Sequence, residues 1–204
     1  IIFYTNGYET KIWEDGLYST PRRIHGFYTK EELRWLIQKR NTVKDLRKAS
    51  VNQNIAGRAF QMEAIKRVAE SFVVDKEGKI GGNKRRALLV MATGSGKTRT
   101  VIALVDLMMR CNYVKRVLFL ADRVSLVNQA AREFGKNLAS VGVVNLRDNS
   151  DATGRVYVST YPTMLNLINN NSDVVRKFGI GYFDLVIVDE AHRSIYSKYG
   201  ALFN

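Results

Sequence analysis

Residues 87–100 read ALLVMATGSGKTRT, and the fold turns on how that stretch divides. An apolar run, Ala87 to Met91, stops at Thr93-Gly94-Ser95-Gly96-Lys97-Thr98, and apolar residues return from Val101 at helical spacing. The run predicts a strand buried on both faces, and the later spacing predicts a helix. Gly94 and Gly96 let the loop between them fold tightly, so that its N–H groups converge on an anion beside the positive end of the helix. Lys97 is then placed to reach the outer phosphates of ATP, and the Thr98 hydroxyl to ligate Mg²⁺. That is a P-loop in mechanism. Met91 stands where the strict pattern has its first glycine. A plain glycine-rich turn is the competing reading, and the strand, loop, Lys-Thr and helix context argues against it.

Similar apolar runs follow at 117–121 (VLFLA), 141–146 (VGVVNL), 156–160 (VYVST) and 184–188 (DLVIV), with helical segments over 98–110 and 125–137. Two-sided apolar strands alternating with helices predict an α/β domain with a mainly parallel sheet flanked by helices. It begins near residue 58, after a smaller α+β extension. In the extension, Asn6-Gly7 marks a turn between two short strands. Thr29 and Glu32 form a capping box opening a helix with Leu33, Leu36 and Ile37 on its apolar face. A second helix starts near Gly57, with Phe60, Ala64, Ile65, Val68, Ala69 and Phe72 at helical spacing. Residues 75–86 (DKEGKIGGNKRR) are expected to be a surface loop, with Lys84, Arg85 and Arg86 solvated.

The acids of a nucleotide site belong at another strand end. FDLVIVDEAH, residues 183–192, supplies them. Asp189 is placed to hold Mg²⁺, and Glu190 to orient and deprotonate an attacking water. A solvent-exposed acidic strand end is the bland alternative, and the P-loop upstream weighs against it.

Composition narrows the partners. The 204 residues carry 32 Lys+Arg against 19 Asp+Glu, a formal net charge of +13 that favours polyanions, nucleic acid first among them. A lone cysteine, Cys111, excludes an internal disulfide, and it and two histidines leave no cluster for a metal, which fits a reducing cytoplasm. No apolar run approaches the ~20 residues of a membrane span. The opening IIFYTNGYET lacks the basic leader of a signal peptide and, starting on Ile, looks like part of something longer. His25 is expected in a loop, and Trp13 and Trp35 as packing anchors rather than base-stacking platforms.

DEAH at 189–192 together with ATGSGKT at 92–98 resembles superfamily 2 helicases and translocases. The resemblance implies a RecA-like P-loop NTPase in which Thr93 to Arg99 contact the nucleotide. GRAFQMEAI at 57–65 resembles the upstream adenine-reading segment and implies base contacts from Arg58 and Gln61. FLADRVSLVNQA and VSTYPTM are similar to the segments that touch the DNA backbone, implying Arg123 and Thr160 as contacts. His192 would couple the ATP site to the DNA-binding face. More narrowly, ALLVMATGSGKTRTVIALV, KRVLFLADR, STYPTML and DLVIVDEAHRSIYSKYGALF are similar to the restriction (R) subunit of type I restriction–modification systems. That resemblance implies a motor coupling ATP hydrolysis to double-stranded DNA translocation, partnered by methylation and specificity subunits. Residues 1–50 would end a nuclease-domain region and link it to the motor, and 51–204 would be the first RecA-like domain. The second such domain and an ATP-site arginine would follow Asn204, so the 204 residues are expected to bind nucleotide but hydrolyse it poorly. Glu9-Thr10-Lys11 echoes a nuclease Glu-x-Lys pair, but a charged hairpin edge explains it better. Two alternatives stay open: another superfamily 2 enzyme, and a non-catalytic nucleotide switch, which Glu190 disfavours.

Overall fold

The computed structural model describes residues 1–169 and 178–191. The chain divides into two compact units, Ile1–Val114 and Lys115–Asn204.

In the first unit, β1 (Ile2–Thr5), β2 (Thr10–Trp13) and β3 (Arg22–Ile24) form an antiparallel sheet in that order. Gly7, with φ +89°, makes the turn that joins β1 to β2. Helix α1 (Lys30–Thr42) opens on the predicted capping box. The Glu32 N–H donates to Thr29 Oγ1 at 3.3 Å, and the Thr29 N–H donates to Glu32 Oε2 at 2.8 Å. Its buried residues are Glu32, Leu36 and Lys39, while Ile37 is exposed, so the apolar face lies one step round from the predicted one. Helix α2 (Ala59–Phe72) buries Gln61, Ile65, Val68, Ala69 and Phe72, and leaves Phe60 exposed.

Two expected elements fail in this unit. The segment after α2 is a hairpin, β4 (Val73–Lys76) with β5 (Lys79–Gly82), rather than a loop. Glu77 and Gly78 both take positive φ, 54° and 79°, the geometry whose twist suits a two-residue hairpin. Composition hid this, because five of the eight ladder residues are Asp, Lys or Gly. The second failure is the run 87–91, which forms no strand among the described residues. Leu88 is 76% and Val90 88% exposed. Apolar periodicity states what a segment needs buried, but a ladder also needs a partner strand, which no local pattern specifies. Helix α3 (Lys97–Arg110) follows as predicted, with Ile102, Ala103, Val105, Leu107 and Met108 buried.

The second unit is the parallel α/β core. Strands β6 (Val117–Ala121), β7 (Val143–Asn145), β8 (Val156–Thr160) and β9 (Leu185–Val188) form a parallel sheet in the order β7-β8-β6-β9. Every residue of β6 and β8 is buried, as strands covered on both faces require. Helix α4 (Val124–Asn137) turns Val127, Ala130 and Phe134 inward, and Phe134 meets Phe119 edge-on at 5.8 Å. A second cluster joins Leu118, Leu120, Val144 and Tyr157 to Tyr161 and Met164 of α5 (Tyr161–Asn169). Among the described residues, no helix is long and apolar enough to cross a membrane.

Candidate active site

Gly94 and Gly96 take φ of 75° and 90°, values that side chains with a Cβ rarely adopt. Gly96 is the N-cap of α3, so no side chain caps that helix, and its first turn holds no acid. Lys97 and Thr98, both half-buried, occupy the first turn. An uncapped helix start with a lysine and a hydroxyl suits a phosphate, whose negative charge complements the helix dipole. Thr93 and Gly94 are exposed. The Ser95 hydroxyl donates to the Ala92 carbonyl at 2.6 Å and closes the loop on itself. Thr100, fully buried one turn on, donates its hydroxyl to the Gly96 carbonyl at 3.1 Å.

Of Arg58 and Gln61, the two residues expected to contact the base, Gln61 joins this loop. Gln61 is buried at 4% exposure; its Nε2 donates to the Ser95 carbonyl at 3.0 Å, and its Oε1 accepts the Arg58 N–H at 3.3 Å. A Cβ on residue 96 would lie 2.5 Å from Gln61 Nε2, so the glycine makes room for the glutamine. Arg58 is exposed at the N-cap of α2. Arg99 is exposed and donates to the Asn54 carbonyl at 3.0 Å, which ties α3 to the segment before α2.

Arg85, expected to be solvated, packs instead. Its guanidinium lies 3.6 Å from the centre of the Tyr18 ring and 3.7 Å from Glu14 Oε2, while Glu14 is itself buried. Burial lowers the Arg85 pKa, against the favourable pull of Tyr18 and Glu14. Trp13 donates from Nε1 to the Tyr18 carbonyl at 2.8 Å, and His25 is exposed.

In the second unit, parallel strands bring their carboxyl ends to one rim. Ala121 pairs with Thr160, and Leu120 with Val188, so Arg123, Thr160 and Asp189–Glu190 all leave the sheet there. Ligands gather at such rims. Arg123 is the N-cap of α4, 66% exposed, with Nε 3.7 Å from Asp122. Thr160 is only 6% exposed and caps α5: its Oγ1 accepts the Thr163 N–H at 3.3 Å and lies 2.9 Å from the Thr163 hydroxyl.

Asp189 extends the ladder, its N–H donating to the Leu120 carbonyl at 2.9 Å, and its Oδ1 accepts the Glu190 N–H at 3.1 Å. Glu190 has φ +55°, a left-handed conformation that costs an L-residue about 1–2 kcal/mol and clusters at functional sites. Sequence reasoning missed a residue here. The Tyr161 hydroxyl donates to the Asp189 carbonyl at 3.1 Å. An aromatic directly after a strand end was the available signal. His192 lies outside the described residues. Among those residues no group of three or more His, Cys, Asp and Glu could hold a metal. Mg²⁺ needs only one or two carboxylates when phosphate oxygens and water complete its shell, so the chemistry of Asp189 suits a nucleotide-borne ion.

The family model described as "Type III restriction enzyme, res subunit" (ResIII) matches residues 54–204. The chain belongs to the ResIII family. Its curated relatives are endonuclease subunits of type I restriction enzymes. The EcoAI subunit of Escherichia coli is 28% identical over 69% of this chain and 16% of its own length. The EcoKI subunit of Escherichia coli K12 is 32% identical over 67% of this chain and 11% of its own. The C-terminal part of the MpnIIP subunit of Mycoplasma pneumoniae is 32% identical over 69% of this chain and 73% of its own. This ResIII chain is therefore a helicase-like domain of the type I R-subunit kind, and it spans under a fifth of the Escherichia coli subunits. A solved fragment of an HsdR subunit of a type I restriction enzyme from Vibrio vulnificus YJ016 is 20% identical, over 97% of this chain and 34% of that one, with a TM-score of 0.47.

Proposed function

We propose that this chain is the ATP-binding and DNA-binding motor segment of a type I restriction enzyme R subunit, coupling ATP hydrolysis to double-stranded DNA translocation before cleavage. The observation that carries this reading is the shared rim, where the Asp189–Glu190 pair emerges beside the strand ends bearing Arg123 and Thr160. Residues 51–204 would form the first RecA-like domain and 1–50 the junction with a nuclease region. Methylation and specificity subunits are the partners, and the cytoplasm is the location.

In this reading the α3 N-terminus, Thr93 to Thr98 and Lys97 hold the triphosphate, while Arg58, Gln61 and Arg99 frame the nucleotide end of the unit. Mg²⁺, when bound with ATP, neutralises phosphate charge. Thr98 and Asp189 would hold it. Glu190 aligns the attacking water and takes its proton. Arg123 and the Thr160–Thr163 turn meet DNA phosphates, contacts that carry no sequence information, as a motor requires.

DNA-stimulated ATP turnover in a chain that also contains a second motor domain tests the reading. Glu190→Gln should lower it by about 10²-fold or more while nucleotide still binds. Turnover at the wild-type rate in that variant would contradict it.

A further inference from the structure

We propose that Tyr161 is a positioning residue that links the DNA-contacting strand end to the hydrolytic acids. This inference rests on the roles proposed above for Thr160, Asp189 and Glu190, and it adds a route between them that lies wholly in the second unit.

The ring of Tyr161 is 1% exposed and belongs to the cluster with Leu118, Leu120, Tyr157 and Met164. It is therefore a rigid arm, since a packed interior allows a ring few alternative positions. Its hydroxyl emerges from the cluster at the rim and donates to the Asp189 carbonyl at 3.1 Å. That carbonyl belongs to the peptide joining Asp189 to Glu190, the point where the chain leaves β9 and turns into a left-handed conformation at φ +55°. A left-handed glutamate persists only where neighbours define the backbone around it. Among the bonds that do so are the Asp189 N–H to Leu120, the Glu190 N–H to Asp189 Oδ1, and the Tyr161 hydroxyl to the Asp189 carbonyl.

The other end of the arm starts at the DNA segment. Tyr161 is the first residue of α5 and follows directly on Thr160, whose hydroxyl caps that helix through Thr163. A phosphate that draws on either hydroxyl perturbs the cap, and with it the backbone from which the Tyr161 ring projects. A displacement there reaches the Asp189–Glu190 peptide through one side chain and one hydrogen bond. A purely structural account, in which the hydroxyl only needs a partner, explains the bond but predicts no response of the acids to DNA.

Tyr161→Phe keeps the ring and removes the hydroxyl. In the full-length subunit carrying this chain, it should lower kcat for DNA-stimulated ATP hydrolysis about five- to tenfold, the worth of one net hydrogen bond, and leave the KM for ATP unchanged. Duplex DNA should alter amide exchange at Glu190 and Ala191 in the wild type, and Tyr161→Phe should abolish that response. Glu190→Gln is run beside it. Wild-type kcat in Tyr161→Phe, with Glu190→Gln inactive, overturns the inference alone. Turnover by Glu190→Gln removes the reading beneath it. A raised KM at constant kcat also overturns the inference. If Tyr161→Phe fails to fold, the wild-type exchange decides: no response to DNA at residues 190 and 191 overturns it.

Discussion

Gln61 holds the loop before α3: its side-chain amide donates to the Ser95 carbonyl at 3.0 Å, thirty-four residues away in sequence. The same amide lies where a Cβ on residue 96 would fall, 2.5 Å distant. Helix α2 and the loop before α3 are thus fitted to each other through a single side chain.

Gly96→Ala should therefore cost more than its φ of +90° alone implies, which is about 1–2 kcal/mol. Gln61→Ala should cost about 1 kcal/mol or more by removing the partner of a half-buried carbonyl. The double variant should be less destabilised than the sum, because removing the glutamine removes the collision. Urea denaturation of the four proteins measures the cycle. Strict additivity would mean that the two residues do not meet.

Thr29→Ala removes one arm of the capping box on α1 and should lower stability by about 1 kcal/mol, with Glu32 left reaching for a backbone that no longer reciprocates. Thermal unfolding followed by circular dichroism would show it. An unchanged midpoint would mean that α1 is not held by its cap.

How much of this was legible in the sequence depends on whether the cause is local. The capping box, the Asn6-Gly7 turn, α2, α3, α4 and the four parallel strands at 117–188 were readable because turn chemistry and periodicity act over a few residues. The hairpin β4–β5 was not, since its register comes from the Glu77-Gly78 turn while its residues look like a loop. Arg85 looked solvated because nothing near it in sequence announces Tyr18 and Glu14. The strand expected at 87–91 failed for the complementary reason: an apolar run does not name its partner. For the candidate site, the sequence offers Lys97, Asp189 and Glu190 by type and spacing, as expectations. It singles out Gln61 as a base contact rather than for its bond to Ser95, and it does not single out Tyr161 behind Asp189, because neither partner is near in sequence.

Cys111 supplies a pH test. Its thiol is 2% exposed, and burial pushes its pKa above the ordinary value. Tyr28 and Tyr113 are raised for the same reason. At alkaline pH the unfolded chain releases protons that the folded chain retains, so stability should fall as pH rises past the ordinary thiol range. Below that range these groups contribute no slope. Cys111→Ala should flatten the first part of the decline, and alkylation of Cys111 should proceed at the rate of unfolding. Immediate alkylation of the folded chain would contradict the burial.

DNA binding should weaken steeply with salt, because phosphate contacts release counterions. Arg123→Ala should reduce the slope of log affinity against log salt by about one and lower affinity similarly for any sequence. Filter binding or fluorescence anisotropy at several salt concentrations reads the slope. A flat dependence would give the basic surface another role.

The central claim is that the loop at 93–98 binds ATP through Lys97 while Glu190 acts only later, in hydrolysis. Calorimetric titration of Mg–ATP into the wild type, Lys97→Ala and Glu190→Gln tests it most directly. The wild type and Glu190→Gln should bind alike, and Lys97→Ala should bind about ten- to a hundredfold more weakly, as expected for losing a charge-assisted contact. Equal affinity in the wild type and Lys97→Ala, or no binding by the wild type, would contradict it.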